Sequence, residues 1–150
     1  YAGFWYEALQ GRFVADYRKK FDVIIATPPQ TPSPEPFSPR YGGVDGTLHL
    51  LKIIDGASNY LDYSNGRLWL LVISLANPSG VLVRLKETFQ KVEIIKETDR
   101  PFTADEYNSR KDGLMEYLLK LRKSGKSEFT ETTGGNYVFR NLFMCASKPR

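Results

Sequence analysis

The spacing of apolar residues changes several times along the chain, and each change marks a predicted element. Residues 21–26, "FDVIIA", form an almost wholly apolar, β-branched run that predicts a strand covered on both faces. From Thr47 onward Leu50, Ile54 and Ala57 recur at helical spacing, which predicts an amphipathic helix over about 47–61. The chain therefore opens with a buried strand that is separated from a helix by an irregular segment.

The remaining residues continue this alternation. "RLWLLVIS" predicts a second buried strand, and Asn77 before Pro78 predicts the start of a helix that ends near Phe89. A third strand is expected over 91–97, one helix or two short ones over 104–124 with Gly113 as a weak point, and a last strand over about 137–147. This order predicts an α/β fold with helices on the faces of a sheet. In such open sheets, ligands bind beyond the carboxyl ends of the strands.

The segment 27–46, after the first strand, cannot form regular structure. Prolines stand at 28, 29, 32, 34, 36 and 39, and the glycine-rich run "YGGVDG" follows them. A polyproline linker or ligand is one interpretation, but the position directly after a buried strand favours a functional loop. The glycines either build a turn or contact a ligand, and Asp45 is expected to cap the helix that follows.

Composition narrows the class of protein. The 150 residues suit one soluble domain, and no apolar run approaches the roughly 20 residues of a membrane span, so we expect a cytoplasmic protein without membrane contact. A single cysteine, Cys145, and a single histidine, His49, exclude a disulfide framework and predict no metal site. We expect Cys145 to be an inert core thiol and His49 a surface residue.

The net charge of +4 permits contact with nucleic acid without arguing for a general RNA-binding role. A basic set near the C-terminus could touch phosphate or an acidic partner. The acidic Asp112 and Glu116 among these residues favour a solvated helix face instead. The set comprises Arg110, Lys111, Lys120, Arg122, Lys123 and Lys126.

The tetrapeptide "TPPQ", residues 27–30, resembles the Asp/Asn-Pro-Pro-Tyr/Phe loop of class I S-adenosylmethionine-dependent methyltransferases that act on amino groups. The "YGGVDG" turn, with the helix, turn and buried strand after it, resembles the glutamine methyltransferases that modify release factors and the related small methyltransferases. The similarity covers about residues 10–101, ending with the pair Asp99-Arg100, and returns in the final strand.

The resemblance implies a particular fold for the whole chain, 1–150. We expect the C-terminal half of a Rossmann-like methyltransferase sheet, with about four strands of which the last is antiparallel. Residues 27–46 would be the acceptor loop, and residues 104–135 a helical insertion followed by a polar, mobile loop.

The resemblance also implies an activity: transfer of a methyl group from S-adenosylmethionine to a nitrogen of a protein amide or a nucleobase. Thr27 and Pro28 take the catalytic positions, because the first side chain of such a loop and the carbonyl of its second residue orient the acceptor nitrogen. They would also touch the cofactor, while Pro29 and Gln30 would contact the substrate. Thr27 replaces asparagine or aspartate and Gln30 replaces an aromatic residue. The alternative is therefore a catalytically inactive methyltransferase-like module for binding or scaffolding.

The resemblance further implies residues that lie outside this chain. Members of the family hold the cofactor with an acidic-x-Gly-x-Gly-x-Gly turn, and no such turn precedes Phe21. The main cofactor residues are thus expected upstream, in a missing N-terminal half of the same domain that would be this chain's first partner. A protein or nucleic-acid acceptor would be the second. The chain alone is expected to be inactive, with an exposed apolar edge at Val23–Ile25.

Overall fold

A mixed, open sheet of five strands organises residues 20–150, which are the residues described by the computed structural model. The strands are β1 (Val23–Ala26), β2 (Arg67–Ile73), β3 (Phe89–Thr103), β4 (Thr130–Glu131) and β5 (Asn136–Pro149). Their order is β1-β2-β5-β3, and β4 pairs with β5. β1 and β2 are parallel, whereas β5 is antiparallel to β2 and β3. The predicted α/β class is confirmed. Residues 10–19 of the segment that carries the resemblance lie outside the described range.

The described helices are α1 (Leu48–Tyr60), α2 (Pro78–Thr88), α3 (Ala104–Asn108) and α4 (Leu114–Lys123). The predicted start of α2 is confirmed, because the Asn77 side chain accepts a hydrogen bond from the backbone N–H of Gly80 and Pro78 occupies the first turn. Gly113, with a φ of 75°, separates α3 from α4. The predicted weak point is therefore a break between two helices. No helix within residues 20–150 is long and apolar enough to span a membrane.

β1 differs from the prediction in its burial. Ile24 is 6% exposed, but Val23 and Ile25 are 52% and 71% exposed. The alternation arises because β1 lies at the edge of the described sheet and packs one face only against the core beneath α1. The expectation of burial on both faces is wrong for the described part of the chain. The expected apolar edge at Val23–Ile25 is present there.

β3 is much longer than the predicted strand at 91–97, since it extends from Phe89 to Thr103. The second half, "KETDRPF", has a polar composition and a proline that are typical of a loop. It becomes a strand because β5 is 14 residues long and offers partners as far as the pair Thr103 and Asn136. Pro101 is tolerated because β3 is an edge strand of the described sheet.

Two hydrophobic clusters divide the core. The first joins α1 and α2 to the middle of the sheet. The second is aromatic and combines residues of α3 and α4 with Phe102, Phe129, Tyr137 and Phe139. β5 contributes even-numbered residues such as Leu142 to the first cluster and odd-numbered ones to the second, so the two clusters lie on opposite faces of the sheet.

The aromatic cluster lies beyond the carboxyl ends of β1 and β2. Ile73, the last residue of β2, pairs with Asn141, which pairs in turn with Thr98. Everything in β5 before Asn141 and in β3 after Thr98 therefore projects past the end of β2. α3 and α4 form a wall at this end of the sheet, where the loop after β1 also begins.

The segment between α4 and β5 is more ordered than the polar loop expected at 124–135. Ser127 and Phe129 are buried, and Thr130–Glu131 form β4. Ser74, fully buried at the end of β2, binds this segment to β5. Its hydroxyl donates to the carbonyl of Glu128 at 2.6 Å and accepts from the backbone N–H of Arg140 at 2.9 Å. One side chain thus connects β2, β5 and the segment that follows α4.

We predict that Ser74→Ala lowers the free energy of unfolding by about 1–3 kcal/mol, because a partly buried N–H and a partly buried carbonyl lose their partner. Ser58→Ala is the matched control, since the Ser58 hydroxyl bonds a carbonyl on an exposed helix face. Surface changes of this kind usually stay within about 0.5 kcal/mol. Urea unfolding of both variants measures the difference. Equal stabilities of the two variants would show that the Ser74 hydrogen bonds do not stabilise the fold.

Candidate functional site

The candidate site is the loop that leaves β1 at its carboxyl end. Thr27 and Pro29 are exposed and Pro28 is half-buried, so these three residues form one accessible segment. Gln30, the fourth residue of the predicted motif, is only 7% exposed. The structure therefore keeps Thr27, Pro28 and Pro29 together at the open end of the sheet and turns the Gln30 side chain into the protein.

Gln30 completes the hydrogen bonding of β2. β1 pairs with β2 as far as Ala26 and Leu70. Beyond that point the Gln30 carboxamide donates to the carbonyl of Leu71 at 2.7 Å and accepts from the N–H of Ile73 at 2.9 Å. Both ends of the side chain are thus bound to the main chain. This placement gives Gln30 a structural role in place of the substrate contact expected from the sequence.

The glycines of the 41–46 turn are needed because that turn lies against the backbone of Gln30. A Cβ atom at Gly42 would lie 2.5 Å from the Cα of Gln30. At Gly46, with a φ of 85°, it would lie 2.6 Å from both the Gln30 carbonyl oxygen and the Cβ of Ala76. These glycines permit close packing within the protein. Of the two roles expected from the sequence, a structural turn and direct ligand contact, the packing supports the structural turn.

The proline-rich residues fold back on this turn. The N–H of Thr31 donates to the carbonyl of Arg40 at 3.1 Å, and the N–H of Gly42 donates to the carbonyl of Thr31 at 2.9 Å. The N–H of Ser33 donates to the carbonyl of Gly43 at 3.1 Å. Thr31 and Ser33 are buried. The interpretation as an extended polyproline linker is therefore wrong, and the segment is a compact loop.

The wall and the connection between its two helices hold the outer side of the loop. Lys111 Nζ lies 2.9 Å from the Glu35 carboxylate and 3.3 Å from the Ser33 hydroxyl. The hydrogen bond and charge of Lys111 lower the pKa of Glu35. Tyr117 donates its hydroxyl to the carbonyl of Val44 at 2.5 Å. No local pattern predicts these contacts, because their partners are 73 to 78 residues apart along the chain.

Asp45 connects the starts of two helices and does not cap α1 as expected. The N-cap of α1 is Thr47, which makes no side-chain capping bond. One Asp45 oxygen accepts from the hydroxyl and the N–H of Thr47 at 2.6 and 3.2 Å, and the other accepts from the Asn77 amide at 2.8 Å. Burial alone would raise the pKa of Asp45, but these hydrogen bonds outweigh burial, and its pKa is lowered.

The accessible segment can accept hydrogen bonds and makes few of its own. Prolines lack an N–H, and no backbone N–H of residues 20–150 donates to the carbonyl of Thr27, Pro28 or Pro29. The Thr27 hydroxyl and the Pro28 carbonyl are therefore the groups through which this segment could hold an N–H of a ligand. Within residues 20–150 there is no group of three or more His, Cys, Asp or Glu side chains that could hold a metal ion.

His49 and Cys145 are not part of this segment. His49 is half-buried in the first turn of α1, and Cys145 is buried in the sheet. Burial raises the pKa of the Cys145 thiol. A raised pKa leaves little thiolate at neutral pH, which agrees with an unreactive thiol.

Comparisons of the chain with protein-family models, with curated proteins and with solved structures found no match. The functional interpretation therefore depends on the loop, on its place in the sheet and on the motif resemblance.

We predict that Gln30→Met lowers the free energy of unfolding by about 2–6 kcal/mol. Methionine keeps the length of the side chain but leaves the carbonyl of Leu71 and the N–H of Ile73 without partners, at about 1–3 kcal/mol each. Gln90→Met is the control, because the Gln90 side chain makes only an exposed bond to Tyr63. Chemical denaturation measures both variants. A loss no larger than that of the control would contradict the structural role of Gln30.

We also predict that Asp45→Asn makes the free energy of unfolding fall less steeply as the pH is lowered. A carboxylate with a lowered folded pKa stabilises the fold above its unfolded pKa, about 3.9, and loses that contribution as the pH falls through the folded value. The variant should therefore be less stable than the wild type at pH 7 and approach it below about pH 4. Denaturation across this pH range tests the effect. Parallel pH profiles would show that Asp45 is not linked to folding.

Proposed function

We propose that this chain carries the methyl-acceptor loop of an S-adenosylmethionine-dependent methyltransferase that methylates a nitrogen of a protein amide or a nucleobase. The observation that supports it best is the exposed Thr27-Pro28-Pro29 segment at the carboxyl end of β1. Its acceptor groups are accessible, and Gln30 and the glycine turn fix its base. Ligands of open α/β sheets bind at this end of the strands.

The chemistry requires orientation more than acid or base catalysis. An amide or exocyclic amine is a weak nucleophile because its lone pair is delocalised. Thr27 and Pro28 would accept its N–H groups and direct the lone pair toward the methyl group. S-adenosylmethionine, when bound, supplies a methyl group on a positively charged sulfur, which is a good leaving group. Two prolines stiffen the segment, so little ordering is needed when the acceptor arrives.

The described residues fit the acceptor side of such a site better than its cofactor side. The glycine turn at 41–46 is closed by its packing against Gln30, Leu48 and Ala76, so it offers no open cradle for a ligand. We therefore propose that Thr27 and Pro28 meet only the methyl end of the cofactor. The main cofactor residues would belong to another half of the same domain.

The edge of the sheet is where the other half of the proposed domain would pair. β1 exposes Val23 and Ile25 at the edge of the described sheet, beside its parallel neighbour β2. An apolar edge strand of this kind is a liability unless another strand covers it. The antiparallel β5 between β2 and β3 agrees with the Rossmann-like C-terminal half that the resemblance implies.

A methyltransferase-like binding or scaffolding module is the second candidate, and Gln30 favours it. The residue that would stack on the acceptor is engaged with β2, and Thr27 has one hydroxyl where a carboxamide could accept and donate through separate atoms. A module of this kind would keep the fold and the loop without transferring a methyl group.

Incubation of the full-length protein with isotope-labelled cofactor and cell extract tests the proposal. Mass spectrometry should find the label on a nitrogen of a protein or nucleic acid. Calorimetry with the cofactor and its demethylated product separates the two candidates. An enzyme shows saturable heat with at least one of them, whereas absence of heat with both would support the scaffold.

We predict that Thr27→Ala lowers turnover of the full-length enzyme by on the order of a hundredfold, as the loss of one orienting group does in other active sites. Its affinity for the cofactor should change little, because the main cofactor contacts would lie elsewhere. Thr133→Ala, at another exposed threonine, is the control. Unchanged turnover in Thr27→Ala would show that Thr27 does not orient the acceptor.

A further inference from the structure

An arginine cluster lies where the loop meets α3. Arg100 of β3 binds both oxygens of Glu106 in α3, at 3.0 and 2.8 Å, and Arg110 binds one of them at 2.8 Å. Arg40, at the end of the proline-rich segment, is the third cation near this carboxylate. The hydrogen bond from Arg100 lowers the pKa of Glu106 most, and the charges of Arg110 and Arg40 lower it further.

The cluster has more positive than negative charge. Two guanidinium groups, those of Arg100 and Arg110, bind one carboxylate, and the charge of Arg40 also acts on it, which leaves a net positive charge of two. Arg40 is exposed and forms no ion pair with any residue in 20–150, so its charge is available to a ligand. The neighbouring Lys111 is already paired with Glu35.

The aromatic cluster positions these guanidinium groups. Arg110 lies 4.4 Å from the ring centroid of Tyr107, and Arg100 lies 5.4 Å from that of Phe139. Arg122 of α4 lies 4.7 Å from the ring of Phe129 in the same way. Stacked guanidinium groups lose little further freedom when they bind an oxyanion, and their planar forks match the geometry of phosphate.

Further cations lie at the end of α4. Its last turn carries Lys120, Arg122 and Lys123, of which Lys120 pairs with Glu116. Arg122 is held by the aromatic cluster, since its guanidinium lies over the ring of Phe129. Several cations suit a polyanion better than a single carboxylate.

The position of the cluster relative to Thr27 favours a polymer. From β1 to β3 there are three strand spacings, and Arg100 lies several residues beyond the level at which β1 ends. With strands about 4.8 Å apart and a rise of about 3.3 Å per residue, the main chains of Thr27 and Arg100 are roughly 20 Å apart. One small acceptor would not reach both places.

Building on the proposed function, we propose that Arg40, Arg100 and Arg110 bind a backbone phosphate of a nucleic-acid acceptor, a few nucleotides from the base presented to Thr27. The three arginines select a nucleic acid and fix its position along the protein surface, and the loop orients the reacting nitrogen. Of the two proposed acceptors, a protein amide and a nucleobase, this proposal favours the nucleobase. The arginines act as binding residues and take no part in methyl transfer.

Fluorescence anisotropy with a short, labelled single-stranded RNA tests the site in the full-length protein without cofactor. Arg40→Gln and Arg110→Gln should each weaken binding about tenfold and reduce the salt dependence by about one phosphate contact. Arg84→Gln is the control, because Arg84 lies on α2 and pairs with Asp55. Arg40→Gln is the most informative variant, since it breaks no ion pair among the described residues.

Glu106→Gln distinguishes a phosphate site from a purely structural ion-pair network. Removing the internal carboxylate frees both guanidinium forks, so RNA affinity should rise even though thermal stability falls. A structural network would show the loss of stability with no gain in affinity. Reduced or unchanged RNA affinity in Glu106→Gln would overturn the proposal, as would equal affinities of Arg40→Gln and Arg84→Gln.

Two further measurements separate this inference from the proposed function. An acidic peptide that binds as tightly as RNA and competes with it would make the partner a protein and overturn the assignment. Thr27→Ala should leave the salt dependence of RNA binding unchanged, because Thr27 would hold a base and no phosphate. RNA binding without methyl transfer would support the phosphate site and reject the proposed methyltransferase activity. Labelling of a protein amide would support the methyltransferase activity and reject the phosphate site.

Discussion

The two hydrogen bonds between the Gln30 side chain and the main chain of β2 are the contact on which the loop depends. They continue the ladder of β1 and β2 for one step after β1 has ended, with a carboxamide in place of a peptide group. A polar side chain buried in this way must be satisfied, and here it is satisfied by two main-chain groups that would otherwise lack partners. The position of residues 27–29 follows from that anchor.

The other features of the loop are consequences of this anchor. Gly42 and Gly46 must be glycine because the turn lies directly on the Gln30 backbone. The turn leads into α1, and Asp45 binds it to Asn77 at the start of α2. The proline-rich residues, closed between the turn and α3, have few alternative conformations because each proline restricts its own φ. The accessible segment is therefore rigid without being part of the sheet.

The position of the loop also depends on the wall beyond the carboxyl ends of β1 and β2. It exists because β3 and β5 continue their pairing past Ile73 and carry the aromatic cluster with them. Ser74 ties that extension to β2, and Lys111 and Tyr117 tie it to the loop. The loop thus lies between two surfaces, one of which carries the arginine cluster.

The sequence alone determined the α/β class, the order of the four longer strands and the helices between them, and the loop after β1, since periodicity and glycine, proline and capping residues act locally. It did not reveal the short strand β4, which was expected to be part of a loop. It did not reveal the length of β3, because that half-polar strand forms only against β5. It also misassigned Gln30 and Asp45, whose partners lie in β2 and at the start of α2. The arginine cluster was invisible for the same reason, since Arg40, Arg100 and Arg110 come from three separate segments. Contacts between residues far apart along the chain are decided by packing, and only the tertiary structure contains them.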